Sequence, residues 1–213
     1  MSASAREALI GLVLAGGRST RLGQDKVVLP LNGQSLLART AGLAARFCSR
    51  VVVSGRDPAE LGADLGPGLG QTLDWLPDDE PGHGPMGGIL TGLAHLGGPL
   101  LVLACDLPLL DEATVARLVE HRGSRPPGTV ITTFLQSATG FIEPLVAVYE
   151  DLARPHLAAA LAAGERKLAR ALPEAARHLI PYGPEEAHVF FNVNYPADLA
   201  VLSRLGRPVE NGL

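Results

Sequence analysis

Short apolar runs alternate with segments of helical spacing along most of the chain. Residues 9–14, 51–53 and 99–104 are continuous apolar runs, which predicts strands buried on both faces of a sheet. Between the first two runs, Ser35 precedes apolar residues at helical spacing over 36–47, so Ser35 is the predicted N-cap of a helix. This strand–helix–strand order predicts parallel neighbours joined by a right-handed crossover.

The rest of the chain continues the alternation. The predicted elements are a weak strand over 72–76, a helix from Pro85 to about Leu96, a helix from Asp111 through His121, strands over 129–134, 145–149 and 189–193, two helices within 151–172 broken at Gly164, and a closing helix over 197–205. This order predicts one α/β domain over 1–213, with an open, mostly parallel sheet covered by helices on both faces. In such sheets ligands bind outside the carboxyl ends of the strands.

Composition excludes several classes of protein. The chain has 213 residues, of which 46% are apolar, and only two cysteines, Cys48 and Cys105. Such a composition excludes an intrinsically disordered chain and a disulfide scaffold. The apolar stretches are shorter than the ~20 residues that a membrane helix needs. The run over 8–17 fits a strand better than a signal peptide, so we expect a cytoplasmic protein without a membrane partner.

Charge is unevenly distributed along the chain. The formal net charge is −4, which argues against a nucleic-acid binder. Residues 1–56 hold eight basic and two acidic side chains, whereas residues 57–213 hold ten basic and twenty acidic ones. A basic segment in an acidic protein suggests a local anion site.

A polar, glycine-rich segment follows the first predicted strand. It includes Gly16, Gly17 and Gly23 together with the cations Arg18, Arg21 and Lys26. Exposed backbone N–H groups in such a loop can cradle phosphate oxygens, so the segment predicts a phosphate site. Its spacing matches neither the P-loop nor GxGxxG. The segment 82–87 does match GxGxxG by letter, but no strand directly precedes it. That segment therefore predicts only a helix N-terminus that can face an anion.

Two further groups at predicted strand ends each allow two interpretations. Asp106 follows the run 99–104 and either caps the next turn or holds Mg²⁺ together with substrate phosphates. Asn192 and Asn194 flank Val193 and either form a turn or present two amides to a ligand. Cys105 ends an apolar run and is predicted to be a buried thiol. The six histidines lack the spacing of a zinc site.

Several motifs occur in the order known from one enzyme family. The run from Leu14 to Lys26, LAGGRSTRLGQDK, closely resembles the nucleotidyltransferase signature LAGGxSxRMGxDK. The segments that resemble later family motifs are Asp78 with Gly84–Gly88, CDLP at 105–108, EPLVAVY at 143–149, and FNVN at 191–194 with Pro196. These matches span nearly the whole chain, and the asparagine pair narrows the resemblance to the molybdenum cofactor guanylyltransferases.

The resemblance implies a fold and a reaction. The fold is a three-layer, Rossmann-like nucleotidyltransferase fold, with a nucleotide-binding half over about 8–125 and an acceptor-binding half over about 126–213. The reaction is Mg²⁺-dependent transfer of GMP from GTP to the terminal phosphate of molybdopterin or Mo-molybdopterin, with release of pyrophosphate. Cofactor-insertion proteins or molybdoenzyme chaperones are the further partners that the resemblance implies.

Residue roles are carried over by position. The residues implied to bind nucleotide are Leu14, Ala15, Gly16, Gly17, Lys26, Asp78 and Asp106. The residues implied to act in catalysis are Arg21, Lys26 and Asp106, and Asp106 is also implied to hold Mg²⁺. Asn192 and Asn194 are implied to bind the acceptor. Cations and backbone amides suit a transition state that spreads charge over phosphate oxygens.

Some positions depart from the family pattern, and other functions stay open. Leu22 replaces Met, Tyr195 replaces Thr, Met86–Gly87 replace Leu–Ala, and Ser54 stands where some relatives have Asn. The alternatives are a molybdopterin cytidylyltransferase that uses CTP, a sugar-phosphate nucleotidyltransferase, and a non-catalytic nucleotide-binding module that delivers the cofactor.

Overall fold

The computed structural model describes residues 9–16, 25–57, 59 and 73–204 of the chain. Within these residues seven strands form one sheet, and they are β1 (Ile10–Leu14), β4 (Arg50–Ser54), β5 (Asp74–Leu76), β6 (Leu100–Ala104), β7 (Ile131–Gln136), β8 (Ile142–Tyr149) and β9 (Arg177–Tyr182). Their order across the sheet is β5-β4-β1-β6-β8-β7-β9. Of these seven, β8 alone runs antiparallel to its neighbours. The predicted mostly parallel sheet is confirmed.

Helices cover both faces of the sheet. They are α1 (Leu36–Ala45), α2 (Gly84–His95), α3 (Glu112–Gly123), α4 (Ala153–Ala162), α5 (Leu168–Ala171) and α6 (Pro196–Arg204), with short 3₁₀ segments at Lys26–Val28, Glu174–Ala176 and Pro184–Phe190. One core cluster packs α1 and α3 against one face of the sheet, and a second packs α2, α4 and α5 against the other. These three layers place the sheet at the centre of the core.

Local capping explains where two of the helices begin. The Ser35 hydroxyl accepts a hydrogen bond from the Ala38 N–H at 3.1 Å, and the Asp111 carboxylate accepts one from the Thr114 N–H at 2.9 Å. Pro85 occupies the first turn of α2, where its missing N–H costs nothing. Both predicted N-caps and the predicted position of Pro85 are confirmed.

A small hairpin of β2 (Pro30–Leu31) and β3 (Gln34–Ser35) lies beside the main sheet. Its turn residues Asn32 and Gly33 both have positive φ, as an Asn-Gly hairpin turn requires. The hairpin contributes to a third cluster of buried apolar residues, which consists of Leu29, Leu31, Leu36, Leu109, Val193 and Leu202. This third cluster joins the hairpin, the loop after β6 and α6.

The prediction of a last strand over 189–193 is wrong. Val189 and Phe190 close the 3₁₀ segment Pro184–Phe190 and are buried, so their apolar character reflects core packing rather than strand pairing. The last strand is β9, which pairs in parallel with β7 at the edge of the sheet. It escaped prediction because it contains Pro181 and begins with the charged Arg177, which an edge strand tolerates.

Candidate active site

The carboxyl ends of β1, β4 and β6 lie level with one another. Beyond the last residues of these strands, the Ala15 N–H donates to the Ser54 carbonyl at 3.0 Å, and the Cys105 N–H donates to the Leu14 carbonyl at 3.3 Å. The chain runs from β1 outward to β5 and then returns to β6 on the other side of β1, so β1 and β6 form the switch point of the sheet. Ligands of open α/β sheets bind outside such a point.

Two glycines allow the ends of β1 and β4 to meet closely. Gly55 has a φ of +86°, which favours glycine, and a Cβ at this position would lie 2.8 Å from the Gly16 Cα. Gly16 itself is exposed. The backbone after β1 is therefore open to a ligand and braced from below by the backbone after β4.

A cavity of about 380 Å³ opens at this edge of the sheet. Its wall combines the ends of β1 and β4 with the segment after β5 and the first turns of α2. The lining residues are Leu14, Gly16, Ser54, Gly55, Asp78, Pro81, Gly82, Gly84, Pro85 and Gly88. The N-terminus of α2 therefore contributes to a cavity that also contains an open glycine backbone, an arrangement suited to a ligand that bears an anion.

One carboxylate in the cavity wall is held by a buried hydroxyl. The Ser54 hydroxyl, on a residue that is 1% exposed, donates to Asp78 Oδ1 at 2.8 Å. A Cβ at Gly88 would lie 2.6 Å from Ser54 Oγ and 3.3 Å from Asp78 Oδ1. Because Gly88 lacks a side chain, α2 can lie directly against this hydrogen-bonded pair, which fixes the orientation of the Asp78 carboxylate.

Asp106 follows β6 and is linked to the predicted asparagine pair. The Val193 N–H donates to the Asp106 carbonyl at 3.0 Å, and the Val193 side chain is buried in the third cluster. Asn192 is exposed and Asn194 is half-buried, and neither belongs to a strand. The structure thus brings the segment 192–194 beside Asp106 through a loop, where the sequence suggested a strand end.

The glycine-rich segment is described only at its two ends. Gly17 and Arg21, together with the rest of 17–24, lie outside the described residues, and only the backbone of Lys26 is described. The predicted roles of these residues stay predictions. At the far end of the segment, Asp25 forms an ion pair with Arg56, whose side chain is 8% exposed.

A hydrogen bond between buried Tyr182 and half-buried Glu143 lies at the same edge of the sheet, among the strands that follow β6 in the chain. The Tyr182 hydroxyl at the end of β9 donates to Glu143 Oε1 at 2.6 Å, and Glu143 stands at the beginning of β8. Burial raises the pKa of Glu143 and outweighs the hydrogen bond from Tyr182, which lowers it. Burial, followed by the hydrogen bond to Glu143, raises the pKa of Tyr182. Both groups therefore resist ionisation.

The structure brings some of the predicted residues together. Leu14, Gly16 and Asp78 line one cavity, while Ala15 is fully buried and holds the ends of β1 and β4 level. Asp106 with Asn192 and Asn194 forms a second group, at the end of β6. Sequence reasoning did not assign a role to Ser54 or to Arg56. Ser54 directly follows the apolar run 51–53 and Arg56 comes two residues later, so their position after a strand end is the signal that points to them.

Within the described parts of the chain, no three His, Cys, Asp or Glu side chains cluster in a way that could hold a metal ion. A magnesium site made of one carboxylate and substrate phosphates does not need such a cluster, and half-buried Asp106 at a strand end fits that kind of site.

No helix among the described residues has the length and apolar character to cross a membrane. Cys105 is buried as predicted, and burial raises the pKa of the buried Cys48 thiol to about 12.

Two known proteins are similar in sequence to this chain over nearly its whole length. A protein of Chloroflexus aggregans named probable molybdenum cofactor guanylyltransferase is 34% identical over 203 residues, which cover 90% of this chain and 92% of that protein. The molybdenum cofactor guanylyltransferase of Burkholderia vietnamiensis is 34% identical over 211 residues, which cover 96% of this chain and 100% of that protein.

Similarity extends to a solved structure and to a family profile. The crystal structure of molybdopterin-guanine dinucleotide biosynthesis protein A from Archaeoglobus fulgidus superposes with a TM-score of 0.72 at 25% identity, over 92% of this chain and 98% of that one. The profile of the MobA-like NTP transferase domain matches residues 11–178. The expected nucleotidyltransferase fold is confirmed, and the chain belongs to the MobA-like NTP transferase family of nucleotidyltransferases.

Proposed function

We propose that the protein transfers GMP from GTP to the terminal phosphate of molybdopterin and releases pyrophosphate. The observation that carries the proposal is the cavity at the carboxyl ends of β1 and β4, in which Leu14, Gly16 and Asp78 meet. The names of the similar proteins from C. aggregans and B. vietnamiensis support the choice of guanine and of the molybdenum cofactor.

In this mechanism a phosphate oxygen of molybdopterin attacks the α-phosphorus of GTP. A new P–O bond forms, the bond between the α-phosphorus and the bridging oxygen to the β-phosphate breaks, and pyrophosphate carries away the electron pair. The acceptor phosphate is already ionised near neutral pH, so no dedicated general base is required. The work of the protein is then to orient the two substrates and to stabilise negative charge.

The described residues can divide these tasks between two groups. The backbone at Gly16 is open to a nucleotide. The Asp78 carboxylate, held by Ser54, lines the same cavity and would accept hydrogen bonds from the nucleotide. Asp106 would hold Mg²⁺, which when bound neutralises phosphate charge. Lys26 would contribute a positive charge toward the triphosphate, and the segment 192–194 beside Asp106 would contact the acceptor.

Pyrophosphate release is the measurement that tests the reaction. Release is followed with GTP, CTP, ATP and UTP, each with and without molybdopterin and Mg²⁺. We expect release only with GTP, molybdopterin and Mg²⁺ together. A preference for CTP would replace the guanylyl assignment with a cytidylyl one. Release that requires a sugar phosphate instead of molybdopterin would overturn the acceptor, and nucleotide binding without turnover would favour the delivery module.

The role of Asp106 is tested by Asp106→Asn, which keeps the shape of the side chain and removes its charge. We expect kcat to fall by about 10²-fold or more, as for the loss of one group that stabilises transition-state charge. The matched control is Asp111→Asn, five residues further along, because Asn caps a helix about as well as Asp. Wild-type turnover by the Asp106 variant would remove Asp106 from the metal site.

A further inference from the structure

A buried arginine joins the end of β4 to the end of the glycine-rich segment. Arg56 follows β4 by two residues, and its guanidinium forms an ion pair with the Asp25 carboxylate. The Arg56 side chain is 8% exposed and the Asp25 side chain is 31% exposed. Leaving a charge that is largely removed from water without its partner destabilises a protein strongly, so breaking this ion pair would cost the folded state free energy.

Asp25 in turn defines the short helical turn that carries Lys26. Its carboxylate oxygen Oδ1 accepts a hydrogen bond from the Val27 N–H at 3.2 Å, and its carbonyl accepts one from the Val28 N–H at 3.3 Å. Val27 is fully buried and packs in the first core cluster. The 3₁₀ turn Lys26–Val28 is thus held by the core on one side and by the Asp25 carboxylate at its beginning.

Arg56 connects this turn to the cavity wall, because the two residues before it in the chain contact that wall. On the same stretch of chain, Ser54 holds Asp78, and Gly55 braces the backbone at Gly16. The planar guanidinium forms directional pairs with carboxylates, so the pair with Asp25 constrains orientation as well as distance. Arg56 is buried and engaged with Asp25, which makes it unsuited to bind phosphate itself.

From these contacts we infer that Arg56 is a positioning residue for Lys26. The Arg56–Asp25 ion pair holds the turn of Lys26 at a set distance from the cavity, so that Lys26 meets the triphosphate of a nucleotide bound beside Gly16. The inference rests on the proposed nucleotidyl transfer for the role of Lys26. It adds that the geometry of that role depends on a residue of β4's end that touches no substrate.

The test is a double-mutant cycle between Arg56 and Lys26. Arg56→Met should lower kcat/KM for GTP by about 10- to 100-fold, because small misplacements of a catalytic group cost factors of this size. The KM for molybdopterin should change by less than about 2-fold. In a Lys26→Ala background the same Arg56 substitution should lower kcat/KM by less than about 3-fold, because coupled residues act non-additively.

Companion variants separate positioning from loss of folding. Asp25→Asn removes the ion pair but keeps an oxygen for the Val27 N–H, so it should reproduce the effect of Arg56→Met even if that variant folds poorly. Arg56→Lys should recover part of the activity. Arg46→Met is the matched control, because Arg46 also pairs with a carboxylate, that of Glu112, but is 60% exposed and lies away from the cavity. It should keep wild-type kinetics.

Each result decides the inference. Wild-type kcat/KM for GTP in both Arg56→Met and Asp25→Asn overturns it, and so does an equally large effect of Arg56→Met with and without Lys26. Wild-type kinetics of Lys26→Ala alone overturns it as well, since Arg56 then has nothing to position. If the wild-type protein turns over no nucleotide, the proposed function fails by itself. The same cycle is then read from GTP affinity by titration, where loss of coupling between Arg56 and Lys26 overturns the positioning role.

Discussion

Ser54 and Asp78 form the most sharply defined polar contact in the cavity wall. The hydroxyl of Ser54 has little rotational freedom, because the residue is buried and α2 packs against it at Gly88, where a Cβ would lie only 2.6 Å from Ser54 Oγ. A hydrogen bond to a charged acceptor contributes roughly 1.5–3 kcal/mol, enough to select one orientation of the carboxylate. Under the proposed function, a nucleotide bound in the cavity would meet a carboxylate that is already oriented.

At this residue scale we predict the effect of Ser54→Ala. Asp78 would lose its donor and part of its orientation, so the KM for GTP should rise by about 3- to 10-fold while kcat changes little, in line with the loss of one hydrogen bond. Steady-state kinetics with varied GTP measures this. The control is Thr40→Ala, which removes another buried hydroxyl, one that donates to the Leu36 carbonyl on α1; neither residue lines the cavity. An unchanged KM for GTP in Ser54→Ala would show that the orientation of Asp78 does not matter.

At the scale of elements, α2 approaches the sheet along a glycine face. A Cβ at Gly92 would lie 2.9 Å from Leu100 Cδ1 and 3.0 Å from Leu12 Cδ2, and a Cβ at Gly88 would lie 2.6 Å from Ser54 Oγ. These two glycines are four residues apart and therefore lie on one side of the helix. The closeness of α2 to β1 and β6 is what brings its N-terminus to the cavity.

We therefore predict that Gly88→Ala destabilises the protein although Ala favours helices. Overpacking costs about 1–3 kcal/mol, which exceeds the ~1 kcal/mol that Ala gains over Gly in a helix. Urea unfolding monitored by circular dichroism gives the change. Gly42→Ala on α1 is the matched control, because a Cβ there meets nothing within 4 Å, and it should stabilise the protein. A Gly88→Ala variant as stable as Gly42→Ala would mean that α2 is free to move outward.

At the scale of the whole molecule, one sheet spans both halves of the chain. β6, which precedes residue 126, hydrogen-bonds to β8, which follows it, with Leu100 opposite Tyr149 and Leu103 opposite Val146. Both core clusters on the two faces of the sheet draw residues from either side of position 126. A continuous sheet with shared cores couples the folding of the two halves, which is what a single domain requires.

We predict one cooperative unfolding transition. Trp75, the single tryptophan of the chain, lies on β5 at one edge of the sheet and reports that edge by fluorescence. Amide exchange of a peptide covering β9 reports the opposite edge. The two transitions in urea should share one midpoint, as in two-state unfolding. Separate midpoints would contradict the single domain and divide the chain near residue 126.

The sequence by itself predicted the elements whose patterns are local. β1, β4 and β6 contain continuous apolar runs because central parallel strands are buried on both faces. The capping residues Ser35 and Asp111 mark helix starts because each accepts a hydrogen bond from the backbone three residues further along. The family motifs added the candidate site residues Leu14, Gly16, Asp78 and Asp106, and these four lie where strand ends form the edge of the sheet. Their individual roles stay predictions.

Which strand ends become neighbours depends on how the chain packs in three dimensions. The identity of the last strand, the contact of Val193 with Asp106, the hydrogen bond between Ser54 and Asp78 and the ion pair between Arg56 and Asp25 all join residues far apart in the chain. Local spacing carries information over one or two turns, whereas these contacts depend on strand order and on the close approach of glycine backbones. Local sequence patterns therefore predicted the central strands, the capped helices and the family, whereas the last strand and the arrangement of the site followed from the packing of the sheet.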